Sequence, residues 1–321
     1  MGSSRTPENV MRKILVPLDG SAFAEQAVGT ARAIAARTGA ALEFVLVHER
    51  VVPPTRVSGA PVIDPGLDTE IRAGRRVYLE RLEKVERERG PVPVTAVLRE
   101  GRAAEEIAAQ ASEGDVDLIV MTTHGRGGFE RLWLGSVADG VVRAGTVPVL
   151  LVREGSGAEA GGGVALNRVL IAVSGSDQDD AVIAATLETT DPIRAHYTLV
   201  HVLAPSPTLV ALDPDLGPPP GEMAGVPVEL DSRRESDAAK YLEMLAMPFR
   251  DQGATVDTRL TRAGGTAREV VKLGEEIGAN VIAVGTAARA PVTRFFMGSV
   301  ADKVVRRASC SVLVVPVKTG S

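Results

Sequence analysis

One cysteine in 321 residues, Cys310, leaves no material for an internal disulfide or a cysteine-based metal cluster. Such usage fits a reducing compartment, and the thiol itself reads as a small apolar side chain opening the last strand. Aromatic residues make up only 3% of the chain, so its cores must be assembled from Val, Leu, Ile and Ala. Positive charge is not in surplus: 36 Lys and Arg stand against 41 Asp and Glu, the signs are interspersed, and the net charge is -5. That balance provides no basic face for nucleic acid or for an anionic membrane. No apolar run approaches the ~18 residues of a membrane span, and residues 1–10 carry no apolar stretch of the kind a secretion signal needs. The expectation is a cytoplasmic protein. There is no Gly-Lys dipeptide, which excludes a Walker A loop, and Gly125-Arg126-Gly127-Gly128 lacks the last glycine of the dinucleotide fingerprint.

What the chain does contain, it contains twice. RLWLGSVADGVVRAGTVPVLLV, from Arg131, returns as RFFMGSVADKVVRRASCSVLVV, from Arg294, with Gly135 matching Gly298 at an offset of 163 (298 minus 135). The offset holds without a gap from about Val97 to the C-terminus. Each copy is large enough to fold alone, unlike the short units of a solenoid. The reading is a domain at 11–153, a small-residue linker at 154–166 (it includes EGSGAEAGGG) and a second domain at 167–318.

Within the first copy, Ile14 to Leu18, Leu42 to Val47, Val94 to Leu98, Leu118 to Met121 and Val147 to Val152 are short apolar runs separated by helical patterns. Strands apolar on both faces belong to a parallel sheet covered by helices, so the pattern predicts an α/β fold of two tandem doubly wound parallel-sheet domains with about five strands each. The last strands, Val147 to Val152 and Cys310 to Val315, have apolar edges that would cover each other within one chain. The charges of GRRVYLERLEKVERERG read as the solvated face of an amphipathic helix.

Chemistry concentrates at residues 118–137, LIVMTTHGRGGFERLWLGSV, where a buried strand runs into a glycine-rich loop at its carboxyl end. Open α/β sheets place their ligands there. Gly135 and Ser136 then open a helix, bringing free amides and the positive end of its dipole to a hydroxyl, the physical ingredients of a phosphate site. The same residues also describe an ordinary turn and a capping serine, and the loop by itself does not separate the two.

The two halves resemble universal stress protein domains of the ATP-binding branch, whose fold is similar to that of the adenine nucleotide alpha hydrolases. The branch carries Gly, two residues, Gly, nine residues, Gly, then Ser or Thr. In the first copy Thr122 stands at the first glycine, followed by Gly125, Arg126 to Leu134, Gly135 and Ser136; in the second Gly285 holds the first place, Ala288 replaces the second glycine, and Gly298 and Ser299 close the motif. VPLDGS keeps the family's strand-one Asp as Asp19, whereas VLIAVSGS puts Ser174 there.

The resemblance implies ATP, with Mg or Mn on its phosphates, held mainly in the first domain. Pro17, Leu18 and Asp19 would meet the base and ribose, and backbone at Glu49 the adenine. Thr122, Gly125, Arg126, Gly135, Ser136 and Val137 would hold the phosphates. A weaker second site would use Ser174, Val202, Gly285, Ala288, Arg289, Gly298, Ser299 and Val300. Losing the Asp at Ser174 removes a charged acceptor of a kind contributing ~1.5–3 kcal/mol. A stress or regulatory role, an unknown protein partner, an intramolecular pseudo-dimer and room for a homodimer follow from the same resemblance; a nucleotide-free scaffold is the alternative. No nucleophile, base and orienter can be assembled, so the reading is a binding module with at most slow ATP hydrolysis.

Other residues are assigned quieter roles. His124 is a loop or rim residue, since Ala287 replaces it in the second copy. His48 and His201 end equivalent strands, which suggests a shared structural hydrogen bond, not a metal pair. Ser174-Gly175-Ser176-Asp177 shares part of the SGGxDS loop of PP-loop pyrophosphatases but lacks its second glycine and final serine.

Overall fold

The computed structural model describes residues 11–50, 56–57, 60–61, 65–123, 134–153, 163–204, 228–287 and 297–317. In the first copy the order is β1 (Lys13–Leu18), α1 (Ala22–Thr38), β2 (Ala41–His48), β3 (Arg56–Val57), β4 (Ala60–Pro61), α2 (Pro65–Glu88), β5 (Val94–Glu100), α3 (Ala103–Glu113), β6 (Leu118–Thr122), α4 (Ser136–Ala144) and β7 (Val149–Val152). The second copy follows with β8 (Arg168–Val173), α5 (Asp179–Thr189), β9 (His196–Leu203), α6 (Val228–Asp251), β10 (Thr255–Arg262), α7 (Thr266–Glu276), β11 (Val281–Ala287), α8 (Ser299–Arg307) and β12 (Ser311–Val317).

The strands anticipated from apolar runs are present within about two residues at each end. Two features were not anticipated: α2 begins at Pro65, and the two-residue strands β3 and β4 pair antiparallel in the Pro- and Gly-rich stretch before it.

α1 illustrates why these segments fold as they do. Ser21 accepts a hydrogen bond from the Ala24 N–H at 3.1 Å and so caps the helix start. Ala24, Ala27, Val28, Ala31, Ile34 and Ala35 then recur at helical spacing and are all buried.

A single ten-stranded sheet runs through both copies in the order β10-β9-β8-β11-β12-β7-β6-β1-β2-β5. Every neighbouring pair is parallel except β12 with β7, which is antiparallel. Each half therefore reads outward from the seam as fifth, fourth, first, second and third strand, a doubly wound order that reverses direction between β1 and β6 and between β8 and β11.

The seam follows the internal repeat. Leu150 pairs with Leu313, and these are the same position in the two copies at the offset of 163 (313 minus 150). An approximate twofold axis thus passes between them. Flanking it, Asp139 and Arg143 of α4 meet their own repeats, Asp302 and Arg306 of α8. Arg306 reaches Asp139 at 3.2 Å and Arg143 reaches Asp302 at 3.6 Å, while each arginine also pairs within its own helix.

Because side chains alternate along a strand, each face of the sheet has its own core, and both cores cross the seam. One face packs β-strand residues such as Leu150, Val152, Leu313 and Val315 under α1, α2, α5 and α6; the other packs Val149, Leu151, Val312 and Val314 under α3, α4, α7 and α8. Val, Leu, Ile and Ala dominate both. Phe44, Tyr197 and Phe249 are buried among them; the Tyr197 ring centroid lies 4.6 Å from that of Phe249, and its hydroxyl bonds Thr190 at 2.6 Å. The linker end is also fixed, since the Val164 N–H donates to Thr30 Oγ1 of α1 at 2.9 Å. Among the described residues, no helix is long and apolar enough to cross a membrane.

Candidate functional site

The first copy's strands point their carboxyl ends at one edge of the sheet. There β1 ends in buried Pro17 and Leu18 and passes to half-buried Asp19. Gly20 turns the chain through φ +81°, and the Asp19 carboxylate accepts the Ser21 N–H at 2.9 Å. Beside β1, the parallel strand β6 ends at buried Thr122. The next residue, Thr123, accepts the Gly135 N–H at 2.8 Å, so the chain that leaves at Thr123 is pinned where it returns. Gly125, Arg126 and His124 lie outside the described residues.

Gly135 is the N-cap of α4 and has no side chain with which to cap it. The first backbone bond of the helix runs from the Asp139 N–H to the Gly135 carbonyl. The amides of Ser136, Val137 and Ala138 precede it and face out of the helix start, where the dipole favours an anion. Ser136 is exposed beside them.

An open groove of about 950 Å³ adjoins this helix start and is walled by Glu49, Arg50, Gly101, Arg102, Ser136 and Val137, among others. It gathers three of the residues expected at the site, Glu49, Ser136 and Val137. Pro17, Leu18, Asp19, Thr122 and Gly135 stand on the neighbouring strand tips and are not among its walls. Only its backbone was expected to take part, but the Glu49 carboxylate accepts the Ala103 N–H at 2.8 Å and caps α3. Gly101 and Arg102 had not been singled out as site residues, although the repetition of Gly101 as Gly264 was a signal.

Next to the groove, buried His48 holds α2 to the tip of β2. Its Nδ1 lies 3.0 Å from the Arg75 guanidinium and its Nε2 3.0 Å from Asp68. A guanidinium can only donate, so Nδ1 accepts and the ring proton sits on Nε2, directed at Asp68. His201, its counterpart, instead bonds the Val173 carbonyl through Nδ1 at 3.1 Å. Both histidines serve structure, as anticipated, but they do not share a partner. The described residues contain no cluster of three or more His, Cys, Asp or Glu arranged to hold a metal ion.

The second copy's edge is built differently. The loop after β8 makes the same turn, with Gly175 at φ +81°, but the acid is gone from position 174. In its place Asp179, the first residue of α5, reaches back over the loop. Its carboxylate accepts the N–H groups of Ser174, Gly175 and Ser176 at 2.8 to 3.2 Å, the Ser174 hydroxyl at 3.0 Å and the Tyr241 hydroxyl at 3.0 Å. Tyr78, the repeat of Tyr241, bonds Glu25 of α1 at 2.8 Å instead. Burial pushes both phenols well above the ordinary tyrosine range, and the adjacent carboxylates push them further.

Gly285, expected to be the first glycine of the second motif, lies inside β11. A Cβ there would come 3.0 Å from Val317 and 3.1 Å from Val182, so a side chain at this position would crowd both valines. Val202 lies in β9, half-buried. Gly298 starts α8 without a side-chain cap, as Gly135 starts α4, and exposed Ser299 and half-buried Val300 follow it. Ala288 and Arg289 lie outside the described residues.

The model of the universal stress protein family matches residues 11–153 and matches again at 165–316. The chain belongs to that family. A universal stress protein of Thermus aquaticus is 38% identical over 144 residues, which is 45% of this chain and all of the relative. Universal stress protein E of Salmonella typhi is 22% identical over 267 residues, 79% of each chain. A crystal structure of a universal stress protein from Archaeoglobus fulgidus superposes with a TM-score of 0.65 at 18% identity, covering 95% of this chain and 98% of that one. The last likeness extends the fold to the whole two-copy arrangement.

Within this tandem universal stress protein the two copies share a sheet order, a turn after the first strand and a glycine at the start of the fourth-strand helix. They differ in what meets the loop amides. The residue that makes the difference, Asp179, had not been anticipated. Ser176-x-x-Asp179 is the capping-box pattern, and that was the available signal.

Proposed function

We propose that this tandem universal stress protein binds an adenine nucleotide, ATP, at the edge of its first copy and acts through that binding as a stress or regulatory factor in the cytoplasm. The observation that carries the reading is the start of α4: a glycine N-cap leaves the first amides of the helix without a side-chain cap, and Ser136 and Val137 wall an open groove of about 950 Å³, with the Asp19 turn on the neighbouring strand tips. These residues fit a nucleotide. The amides of Ser136 and Val137 suit phosphate oxygens, Asp19 suits a ribose or adenine donor, and backbone at Pro17, Leu18 and Glu49 suits the base. Gly125, Arg126 and Thr122 complete the set by family resemblance. A divalent ion, Mg or Mn, would arrive with the nucleotide and neutralise phosphate charge. The functional units are residues 11–153 and 167–318, joined by 154–166 and acting as an intramolecular pseudo-dimer.

Mass measurement of the purified chain under native conditions, before and after Mg-ATP, tests this. One nucleotide per chain is expected, with affinity falling about tenfold or more in Asp19→Ala, since a charged hydrogen bond contributes ~1.5–3 kcal/mol. No bound nucleotide and no thermal shift with Mg-ATP would refute it and favour a nucleotide-free scaffold working through protein contacts.

A further inference from the structure

We infer that Asp179 closes the second copy's strand-one loop to a nucleotide: its carboxylate fills the loop after β8, where the first copy has only Ala24. This rests on the nucleotide reading for what the first copy binds, but the evidence for Asp179 stands on geometry in the second copy alone.

Asp179 is 3% exposed, and its carboxylate meets five neutral donors: three successive backbone N–H groups and two hydroxyls. Consecutive amides converging on one point form an anion nest. Here the nest is full. The strand-one offset of 155 (174 minus 19) puts Ala24 at the place of Asp179, so the first copy has only a methyl group there. Its Ser21 N–H is taken by Asp19 from within the turn, and Ala24 has no polar side-chain atom with which to reach back over the loop.

Two further features close the second copy. The His201 ring packs against the nest, so that a Cβ on Gly175 would lie 3.0 Å from its Cε1. On the other flank, β11 and β12 stay paired as far as Ala287 and Val317, whereas β6 and β7 part after Thr122 and Val152. Thr286, at the place of Thr123, is held in that extension by bonds to β12. Exposed Asp177 and Asp180 flank the carboxylate, and their charge opposes any approaching phosphate.

The test compares the wild-type chain with Asp179→Ala, which installs the first copy's residue, and with Ser174→Asp/Asp179→Ala, which installs both. Thermal melting is followed against sodium formate, with sodium chloride as the ionic-strength control. Formate is small enough to fill the space left by the carboxylate. The expected result is a lowered melting temperature in Asp179→Ala, regained by several degrees in ~100 mM formate, with no such gain in the wild type. Native mass with Mg-ATP should show one nucleotide per wild-type chain and two per double-variant chain.

A formate response no larger in Asp179→Ala than in the wild type overturns the inference, and so does a wild-type chain that carries two nucleotides. A wild-type chain with none refutes the nucleotide reading, and the formate response then decides the inference by itself. If Asp179→Ala fails to fold, the near-isosteric Asp179→Asn replaces it, read by amide hydrogen exchange at Ser174, Gly175 and Ser176. Faster exchange there is expected; unchanged exchange overturns the inference.

Discussion

The Leu150–Leu313 pair on the approximate twofold axis permits a quantitative test of how the two copies hold together. Both side chains are fully buried on the same face, and each is the repeat of the other. Truncating either to alanine removes the same atoms from the same environment. Leu→Ala in a packed core costs about 2–5 kcal/mol, depending on how far the void collapses. Domains are stable by only about 5–15 kcal/mol, so either change should be plain in urea denaturation followed by circular dichroism. The approximate symmetry requires the two single variants to agree within about 1 kcal/mol. Directly opposed residues share one void, so the double variant should depart from additivity by about 0.5–3 kcal/mol. Because both cores cross the seam, all three variants should unfold in one transition. Strongly unequal losses, strict additivity, or a wild-type transition that splits into two would refute the account of a single body with a shared seam.

Three further outcomes follow from the geometry. In Gly140→Ala, the added Cβ would sit 2.6 Å from the Ala104 Cβ of α3, so α4 must shift. The clash, about 1–3 kcal/mol, should outweigh the ~1 kcal/mol helix-propensity gain, and a melting temperature above wild type would contradict this. Arg306→Ala breaks the bonds to Asp139 and Asp302; with these groups about a third exposed, the loss should be about 1 kcal/mol, matched by Arg143→Ala and reduced in high salt. A loss unaffected by 1 M salt would argue against an electrostatic seam.

The buried Cys310 thiol, its pKa pushed up by desolvation to about 11 from an ordinary 9.0, should be about one part in a thousand thiolate at pH 8 and resist labelling until the chain unfolds. Since the folded form holds its proton longer than the unfolded one, the associated stability is complete below pH 9 and is lost between pH 9 and about 11. Urea midpoints of wild type and Cys310→Ala at pH 8 and 10.5 check the sign: the wild type should lose more.

Much of this fold could be read from the chain because it is written in continuous apolar runs and in an offset. Val147 to Val152 and Cys310 to Val315 were recognisable as last strands with edges to cover, while the register that centres them on Leu150 and Leu313 came from the structure. Contacts made by side chains across distant elements were not legible. Arg75 meets His48 only because α2 docks on the tip of β2, and Glu49 finds Ala103 only because β2 and β5 end side by side. Asp179 is separated from Ser174 by only five residues, yet its reach depends on where α5 begins, and boundaries are what sequence patterns fix least well. Gly285 has two readings for a related reason: a glycine that makes room for Val317 and Val182 looks, in a motif, like one that makes room for a phosphate.

Since β7 and β12 run in opposite directions, the tips of the first five strands and those of the second five emerge at opposite rims of the molecule. A visitor at one rim therefore cannot touch, crowd or share a ligand with a visitor at the other. Under the nucleotide proposal, one rim would exchange its ligand while the far rim stayed fastened by its own aspartate.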